Sequence, residues 1–345
     1  GYSITMQQEG DAIKVTGSFT LTDCKGTNGE YGKITHATNT NGRGVNVSEG
    51  STFTMYGGSI YGNTASSDGG GIWADRKAVI TMYGGEISGN KTTGGDGGGV
   101  YLGINAKLEM SGSASITENV TTKYSGGGVG AVMGKITMSS NSSISKNTAS
   151  DSSGGGVFLN GANSTLTMSD NAEIANNKAK ANAAGVYMLG DDSQFTMDGG
   201  SIYGNKFTGT GACSGGGVYV NGTFTMNDGS IYNDTATESG GGVCSNGMFN
   251  MNGGNIYGNT ATNGAGVYMY GSNKRFAMND GNIYGNTATG NGGGVYISNG
   301  TFTMTKGTIG AVTLNRVNYD GNSAQNGGGV YINEGTFTMG TGESQ

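Results

Sequence analysis

GGGVYVNGTFTMNDGSIYNDTA, residues 215–236, returns almost unchanged as GGGVYISNGTFTMTKGTIGA at residues 292–311. The marker GGGV, or a close variant, recurs along the chain at spacings of 24 to 35 residues. Its Val or Ile stands at Val45, Ile72, Val100, Val129, Val157, Val186, Val218, Val243, Val267, Val295 and Val330. A period of this length is typical of a solenoid, in which each repeat forms one coil.

Each repeat contains three short segments in which a constant apolar residue alternates with a variable residue. In the first quoted repeat these segments are Val218–Val220, Thr223–Met226 and Ser230–Tyr232. Side chains of a strand point alternately to opposite faces, so columns of Val, Phe, Met and Ile are predicted to point inward. Because such repeats leave no room for crossover helices, we predict an all-β parallel solenoid with three short strands per coil. It would have about 11–12 coils, spaced about 4.8 Å apart.

The composition agrees with this fold and excludes several partners. The 345 residues include 72 glycines, which suit cramped turns, and no proline, which would remove a donor from a central strand. The net charge is −6 without a basic patch, so nucleic acid and anionic membranes are not expected partners. No apolar stretch approaches the roughly 18 residues of a membrane helix, and we expect no membrane insertion of this segment.

One polar position is as regular as the apolar columns. An Asn, or in one repeat Asp234, stands three residues after the Ile of the third segment. A metal or sugar site is one interpretation; an asparagine ladder inside a repeated turn is the other, and the one we expect. The predicted ladder comprises Asn63, Asn90, Asn119, Asn147, Asn177, Asn205, Asn259 and Asn286.

The repeats run without a linker. Residues 1–42 are predicted to form a degenerate first coil or N-terminal cap, and residues 43–345 one continuous domain. One insertion, GAVTLNRVNYDGN, follows Ile309, and another surrounds Cys213. The abrupt start and the unfinished last repeat suggest a piece of a longer protein, or open coil ends that stack into a fibre.

The pairing of GGGV with Ile-x-x-Asn, as at Ile60–Asn63 and Ile256–Asn259, resembles the repeats of chlamydial polymorphic outer membrane proteins. It is still more similar to the GGGVYV/TFTM repeats of large surface proteins of gut and soil bacteria. The resemblance covers residues 43 to 339, with Ile in place of the chlamydial Phe. It implies a right-handed parallel β-helix of the adhesin type, exported and displayed outside the cell.

The sequence offers little that resembles catalytic machinery. The one histidine, His36, is expected to be a surface or cap residue, and neither a nucleophile elbow nor a phosphate loop is present. We therefore expect no enzyme and no cofactor. The best acidic cluster, a weak calcium candidate, lies in the turn after the Met segment. It comprises Asp170, Asp198 and Asp228.

Outward aromatic residues form two rows that are candidates for binding sugar rings or another protein. The alternative is stacking that stabilises the surface of the sheet. The first row follows the marker Val and comprises Tyr101, Phe158, Tyr187, Tyr219, Tyr268, Tyr296 and Tyr331. The second follows the third-segment Ile and comprises Tyr61, Tyr203, Tyr232, Tyr257 and Tyr284.

Two further patterns have competing interpretations. Outward Thr-x-Thr pairs such as Thr223 and Thr225 are similar to an ice-binding face, but Glu109 and Lys135 interrupt it. Of the three cysteines, Cys213 and Cys244 are close enough in the repeats for a disulfide across coils, but we expect unpaired thiols.

These observations together favour a non-enzymatic, extracellular solenoid: a stalk or adhesive module of a surface protein, or a fibre subunit. Other copies of the chain, other surface proteins and possible glycans are the expected partners. The alternative is a protein that binds or cleaves polysaccharide, and an ice-binding solenoid is the weaker alternative.

Overall fold

A computed structural model describes residues 3–23, 32–37, 39–210 and 214–340 of the chain. Within these ranges every regular element is a β-strand, and almost all strands pair in parallel with their counterpart one coil away. Equivalent residues are exact partners in the ladders, as shown by Val218 with Val243, and Ile231 with Ile256. The predicted parallel β-solenoid with three principal strands per coil is confirmed.

The first sheet, here called the Val sheet, stacks twelve strands that begin at or next to the marker Val. The first inward position of each strand is Val or Ile, whose β-branched side chains suit a pleated surface buried on one side. The strands are Ile13–Val15, Val45–Val47, Ile72–Ala74, Val100–Leu102, Val129–Val132, Val157–Asn160, Val186–Met188, Val218–Val220, Val243–Ser245, Val267–Met269, Val295–Ile297 and Val330–Ile332.

The second sheet, the Met sheet, contains the segments that end in Met and places Phe, Ile or Leu two residues earlier on the same inward face. Two of its strands, Gln194–Tyr203 and Thr223–Tyr232, run on without a break into the third sheet. The others are Ser18–Leu21, Thr52–Met55, Val79–Met82, Lys107–Met110, Lys135–Met138, Thr165–Met168, Met248–Met251, Arg275–Met278, Thr301–Met304 and Thr336–Met339.

The third sheet, the Ile sheet, carries the inward Ile and, outside it, the second aromatic row. Besides the two long strands it contains Ile4–Met6, Lys33–His36, Ser59–Tyr61, Glu86–Ser88, Ser115–Thr117, Ser143–Ser145, Glu173–Ala175, Asn255–Tyr257, Asn282–Tyr284 and Thr308–Ile309.

A fourth strip of two-residue strands follows the Asn position, and the sequence analysis did not predict it. Six of these strands form one sheet, and two more pair separately. They bury a small residue in a minor core of Ala side chains and Phe207. The strands are Thr64–Ala65, Lys91–Thr92, Val120–Thr121, Thr148–Ala149, Lys178–Ala179, Lys206–Phe207, Thr260–Ala261 and Thr287–Ala288.

The main core is one continuous cluster that runs through the coils, with Val, Phe, Met and Ile in separate columns. Phe rings stack face to face inside it, as between Phe224 and Phe249, whose centroids are 4.9 Å apart with planes 5° from parallel. Residues 3–23 and 32–37 join the same stack, since Ile13 pairs with Val45 and Phe19 with Phe53. The predicted inward columns are confirmed.

The chain departs from the repeat after Ile309. Val312–Leu314 and Val317–Tyr319 form an antiparallel hairpin outside the coil. This is the insertion noted in the sequence. The described residues contain no helix long and apolar enough to cross a membrane.

The marker glycine immediately before Val packs against the end of its own coil. A Cβ placed on any of the ten such glycines from Gly44 to Gly294 would lie 2.7 to 3.1 Å from a ladder side-chain atom. At Gly128 it would also lie 2.7 Å from the carbonyl oxygen of Gly156 in the next coil. Real Cβ atoms do not approach that closely, so the coil closes at this pitch only when the position is glycine.

Gly128→Ala is expected to lower the free energy of unfolding by about 1–3 kcal/mol, because the new methyl group forces a shift of backbone in a packed interior. Denaturant titration followed by circular dichroism measures the loss. Gly17→Ala is the matched control, since a Cβ at Gly17 meets nothing within 4 Å. Equal stability of the two variants would show that the close contact is unimportant.

Candidate functional site

The Asn column is a continuous hydrogen-bonded ladder, as the sequence predicts. In a typical rung, Asn119 Nδ2 donates to the Ile87 carbonyl oxygen at 2.9 Å and to Asn147 Oδ1 at 3.0 Å. Its Oδ1 accepts from the backbone nitrogen of Asn90 at 2.9 Å and from Asn90 Nδ2 at 3.0 Å. Each buried amide therefore has both its oxygen and its nitrogen satisfied, which is what a buried polar network requires. The predicted rungs from Asn63 to Asn286 all take part.

Each end of the ladder contains a residue that the sequence analysis did not assign to it. His36 lies in the first coil, where a cap was predicted, and is buried; its Nδ1 lies 2.7 Å from Asn63 Oδ1 and its Nε2 lies 2.7 Å from the Gly10 carbonyl oxygen. At the other end, Asn322 extends the ladder, accepting from Asn286 Nδ2 at 2.9 Å. The sequence missed this rung because the inserted hairpin separates Asn322 from Ile309.

Asp234 is the one rung without an amide. Its Oδ1 accepts from the backbone nitrogen and Nδ2 of Asn205, at 2.7 and 2.9 Å. Its Oδ2 is buried without a hydrogen-bond partner and lies beside the Gly217 Cα, where the other rungs place the amide nitrogen. Burial raises the pKa of Asp234 well above its usual range, although the two bonds from Asn205 act in the opposite direction. A proton on Oδ2 supplies the missing donor.

Asp234 makes the free energy of unfolding depend on pH, in a direction that follows from its raised pKa. Since the folded pKa of Asp234 exceeds the unfolded value, the stability that the neutral acid contributes is complete below about pH 4. It is lost as the pH rises toward the folded pKa. Asp234→Asn is therefore expected to leave acid stability nearly unchanged and to raise the free energy of unfolding at pH 7 by about 1–3 kcal/mol.

Urea denaturation from pH 4 to pH 8 measures this gain. Asp228→Asn is the control, because Asp228 lies on an exposed turn and its Oδ1 bonds only to the adjacent Gly229 nitrogen at 2.7 Å. Parallel stability curves for Asp234→Asn and the parent chain would contradict the interpretation.

The aromatic row on the Val sheet points outward, and most of its rings stack on one another. The ring centroids are 5.6 and 5.1 Å apart from Phe158 to Tyr187 and from Tyr187 to Tyr219. They are 4.8 and 5.1 Å apart from Tyr268 to Tyr296 and from Tyr296 to Tyr331. Phe158 and Tyr219 are buried, and the remaining rings, including Tyr101, are half-buried. The stacking interpretation describes this geometry, since most ring faces are covered.

The row on the Ile sheet is more regular. Tyr203, Tyr232, Tyr257 and Tyr284 stack with centroids 4.9 to 5.0 Å apart and planes within 10° of parallel. Burial, more than the neighbouring hydroxyl groups, raises the pKa of Tyr257 to about 12. Tyr61 lies outside this stack; it is exposed, and Lys33 Nζ lies 4.8 Å from its ring centroid. Only ring edges remain available along the stack.

Each aromatic row has a gap or an end beside a cavity of about 380 Å³. On the Val sheet, Cys244 takes the place of a ring between Tyr219 and Tyr268. The added Tyr270 reaches across, and its hydroxyl lies 2.8 Å from that of Tyr219. On the Ile sheet, the row stops after Tyr284, beside the hairpin. The sequence analysis named the rows but missed Tyr270 and Tyr319, because neither belongs to the repeat.

The three acidic residues of the weak calcium candidate each accept a different hydrogen bond, although Asp198 and Asp228 are partners in adjacent strands. Asp170 Oδ2 accepts from the Ser140 nitrogen at 2.9 Å, and Asp198 Oδ1 accepts from Asn227 Nδ2 at 2.7 Å, whereas Asp228 Oδ1 accepts from the adjacent Gly229 nitrogen. Among the described residues no group of three His, Cys, Asp or Glu is arranged to hold a metal ion.

A different acidic pair has the most perturbed partly exposed carboxyl group. Burial is the main cause that raises the pKa of Asp96 to about 6, and Asp68 adds to it, while the Ser125 backbone nitrogen opposes it. The Asp96 nitrogen donates to Asp68 Oδ1 at 2.8 Å, so the two carboxyl groups belong to adjacent rungs of one turn column. Neither residue lines the two cavities described above.

Cys244 is buried and disulfide-bonded, which corrects the expectation of an unpaired thiol at this position. The expectation failed because sequence spacing alone does not show which thiols come within bonding distance in the folded chain. Cys213 and Cys24 lie outside the described residues.

Residues 4–209 match the family model described as right handed beta helix region, which covers more than half of the chain. The chain therefore belongs to the right-handed β-helix family. No curated protein and no solved structure matches it. The family membership agrees with the handedness that the repeat resemblance implied.

Proposed function

We propose that this chain is a non-enzymatic, extracellular β-helical rod that serves as a stalk or adhesive section of a bacterial surface protein. The observation that carries the proposal is the unbroken hydrogen-bonded column from His36 to Asn322, which ties every coil to the next. A column of this kind, together with one continuous core, resists bending. Such a molecule is suited to holding a binding surface at a fixed distance.

The proposed extracellular location has support from the disulfide at Cys244, because disulfides persist in oxidising compartments. The net charge of −6 suits a display module more than a partner of nucleic acid. Enzymes of polysaccharide breakdown instead need converging acids in a cleft. Asp170, Asp198 and Asp228 each accept a different hydrogen bond, and neither they nor the adjacent Asp68 and Asp96 line the two cavities described above.

Two measurements test the rod. Negative-stain electron microscopy of the purified chain is expected to show discrete rods about 50–60 Å long, from twelve strands at about 4.8 Å. Long filaments would favour the fibre-subunit version over the stalk.

Release of reducing sugar from pectate, xylan and glucan, with and without Ca²⁺, is expected to equal that of heat-denatured protein. Release above that level would contradict the non-enzymatic assignment.

A further inference from the structure

The tyrosine stack on the Ile sheet ends because glycine replaces the next ring. Gly310 follows Ile309 as Tyr284 follows Ile283, and its nitrogen donates to the Ile283 carbonyl oxygen at 3.0 Å. The position of the missing ring is therefore fixed in register with the stack. Whatever covers the outer face of Tyr284 has to come from outside the repeat.

The inserted hairpin supplies that cover with Tyr319, but at an angle. The hairpin turns at Asn315 and Arg316, which have φ of 52° and 67°, as two-residue turns of twisted hairpins require. The Tyr319 ring lies 5.2 Å from the Tyr284 ring with planes 55° apart. Because the two rings are not parallel, a wedge-shaped space opens between the hairpin and the sheet.

That space is the cavity of about 380 Å³, within the range of about 300–1000 Å³ for small-molecule sites. Tyr257 and Tyr284 contribute ring edges, because neighbouring rings cover their faces, and Tyr319 contributes an exposed ring. Thr287, Asp320 and Ser323 add residues with hydroxyl and carboxyl groups to the lining. The floor includes Gly285, where a Cβ would find its nearest atoms only at 3.8 and 3.9 Å. The cavity thus combines an aromatic wall, a polar rim and an open floor.

These groups match the two sides of a pyranose ring. Its C–H faces pack on aromatic rings, whereas its hydroxyl groups bond to carboxylate and hydroxyl oxygens. No Lys or Arg lines the cavity, and Asp320 brings a negative charge to it. A neutral sugar is therefore accepted, while a uronic acid meets charge repulsion.

We propose that the cavity beside Tyr319 and Asp320 binds a neutral pyranose unit of a glycan. Tyr319 provides the aromatic wall, since its side chain is 39% exposed and has no place in the repeat core. The site does not rest on the proposed rod function, because it is formed by the hairpin and the coils next to it and not by the whole stack.

Isothermal titration with cellohexaose, maltohexaose and mannohexaose tests the site, with hexagalacturonate as the anionic comparison. We expect at least one neutral oligosaccharide to bind at millimolar concentrations or below, and hexagalacturonate to bind more weakly. Tyr319→Ala and Asp320→Ala are each expected to weaken that binding about threefold to tenfold, from the loss of a ring contact or a charge-assisted hydrogen bond. Tyr319→Phe should retain most of it.

Tyr56→Ala is the matched control, since Tyr56 is 57% exposed and stacks on Tyr83 at 4.9 Å without lining this cavity. It is expected to bind sugar like the parent chain. Any of three results would contradict the proposed site. They are a lack of binding by all three neutral oligosaccharides, tighter binding of hexagalacturonate, and full binding by Tyr319→Ala. Rod length in electron microscopy, measured on the same variants, reports separately on the rod function.

Discussion

The contact between the marker glycine and the ladder amide is the constraint on which the coil depends. At Gly128, the start of a coil touches both Asn147, at the end of that coil, and Gly156 in the next. The absence of a side chain allows the Asn147 amide to bond to the backbone of the preceding coil and to the Asn177 side chain of the next. Glycine and asparagine therefore act as one unit: the first provides the space, and the second fills it with hydrogen bonds that the turn backbone could not make alone.

The fold could be predicted from the sequence because its determinants repeat. A Met at one position and an Ile at another recur in every coil, and a one-residue slip would turn either column toward solvent. The asparagine ladder was predictable for the same reason. The short fourth strip was not, because strands of two residues such as Thr64–Ala65 carry no alternation that distinguishes them from a turn.

The candidate site was predictable only in part. The repeat predicts the tyrosine rows, but ring faces become accessible only where the repeat is interrupted. Gly310 and Cys244 look like ordinary substitutions in the sequence, and Tyr319 and Tyr270 have no counterpart in other coils. Their positions follow from tertiary packing of insertions, which a periodic pattern cannot specify. A regular solenoid surface stabilises itself by stacking, and recognition is concentrated where that regularity fails.

The ladder also has a direction. Between neighbouring asparagines of the ladder, Nδ2 donates toward the C-terminal end, so the small dipoles of these side chains point the same way along the axis. Aligned hydrogen bonds polarise one another. At Asp234 the series of amide donors stops, and only the backbone nitrogen of Asp234 donates to Asn259 Oδ1, at 2.9 Å. The electrical polarity of the side-chain array is therefore divided into two segments at this rung.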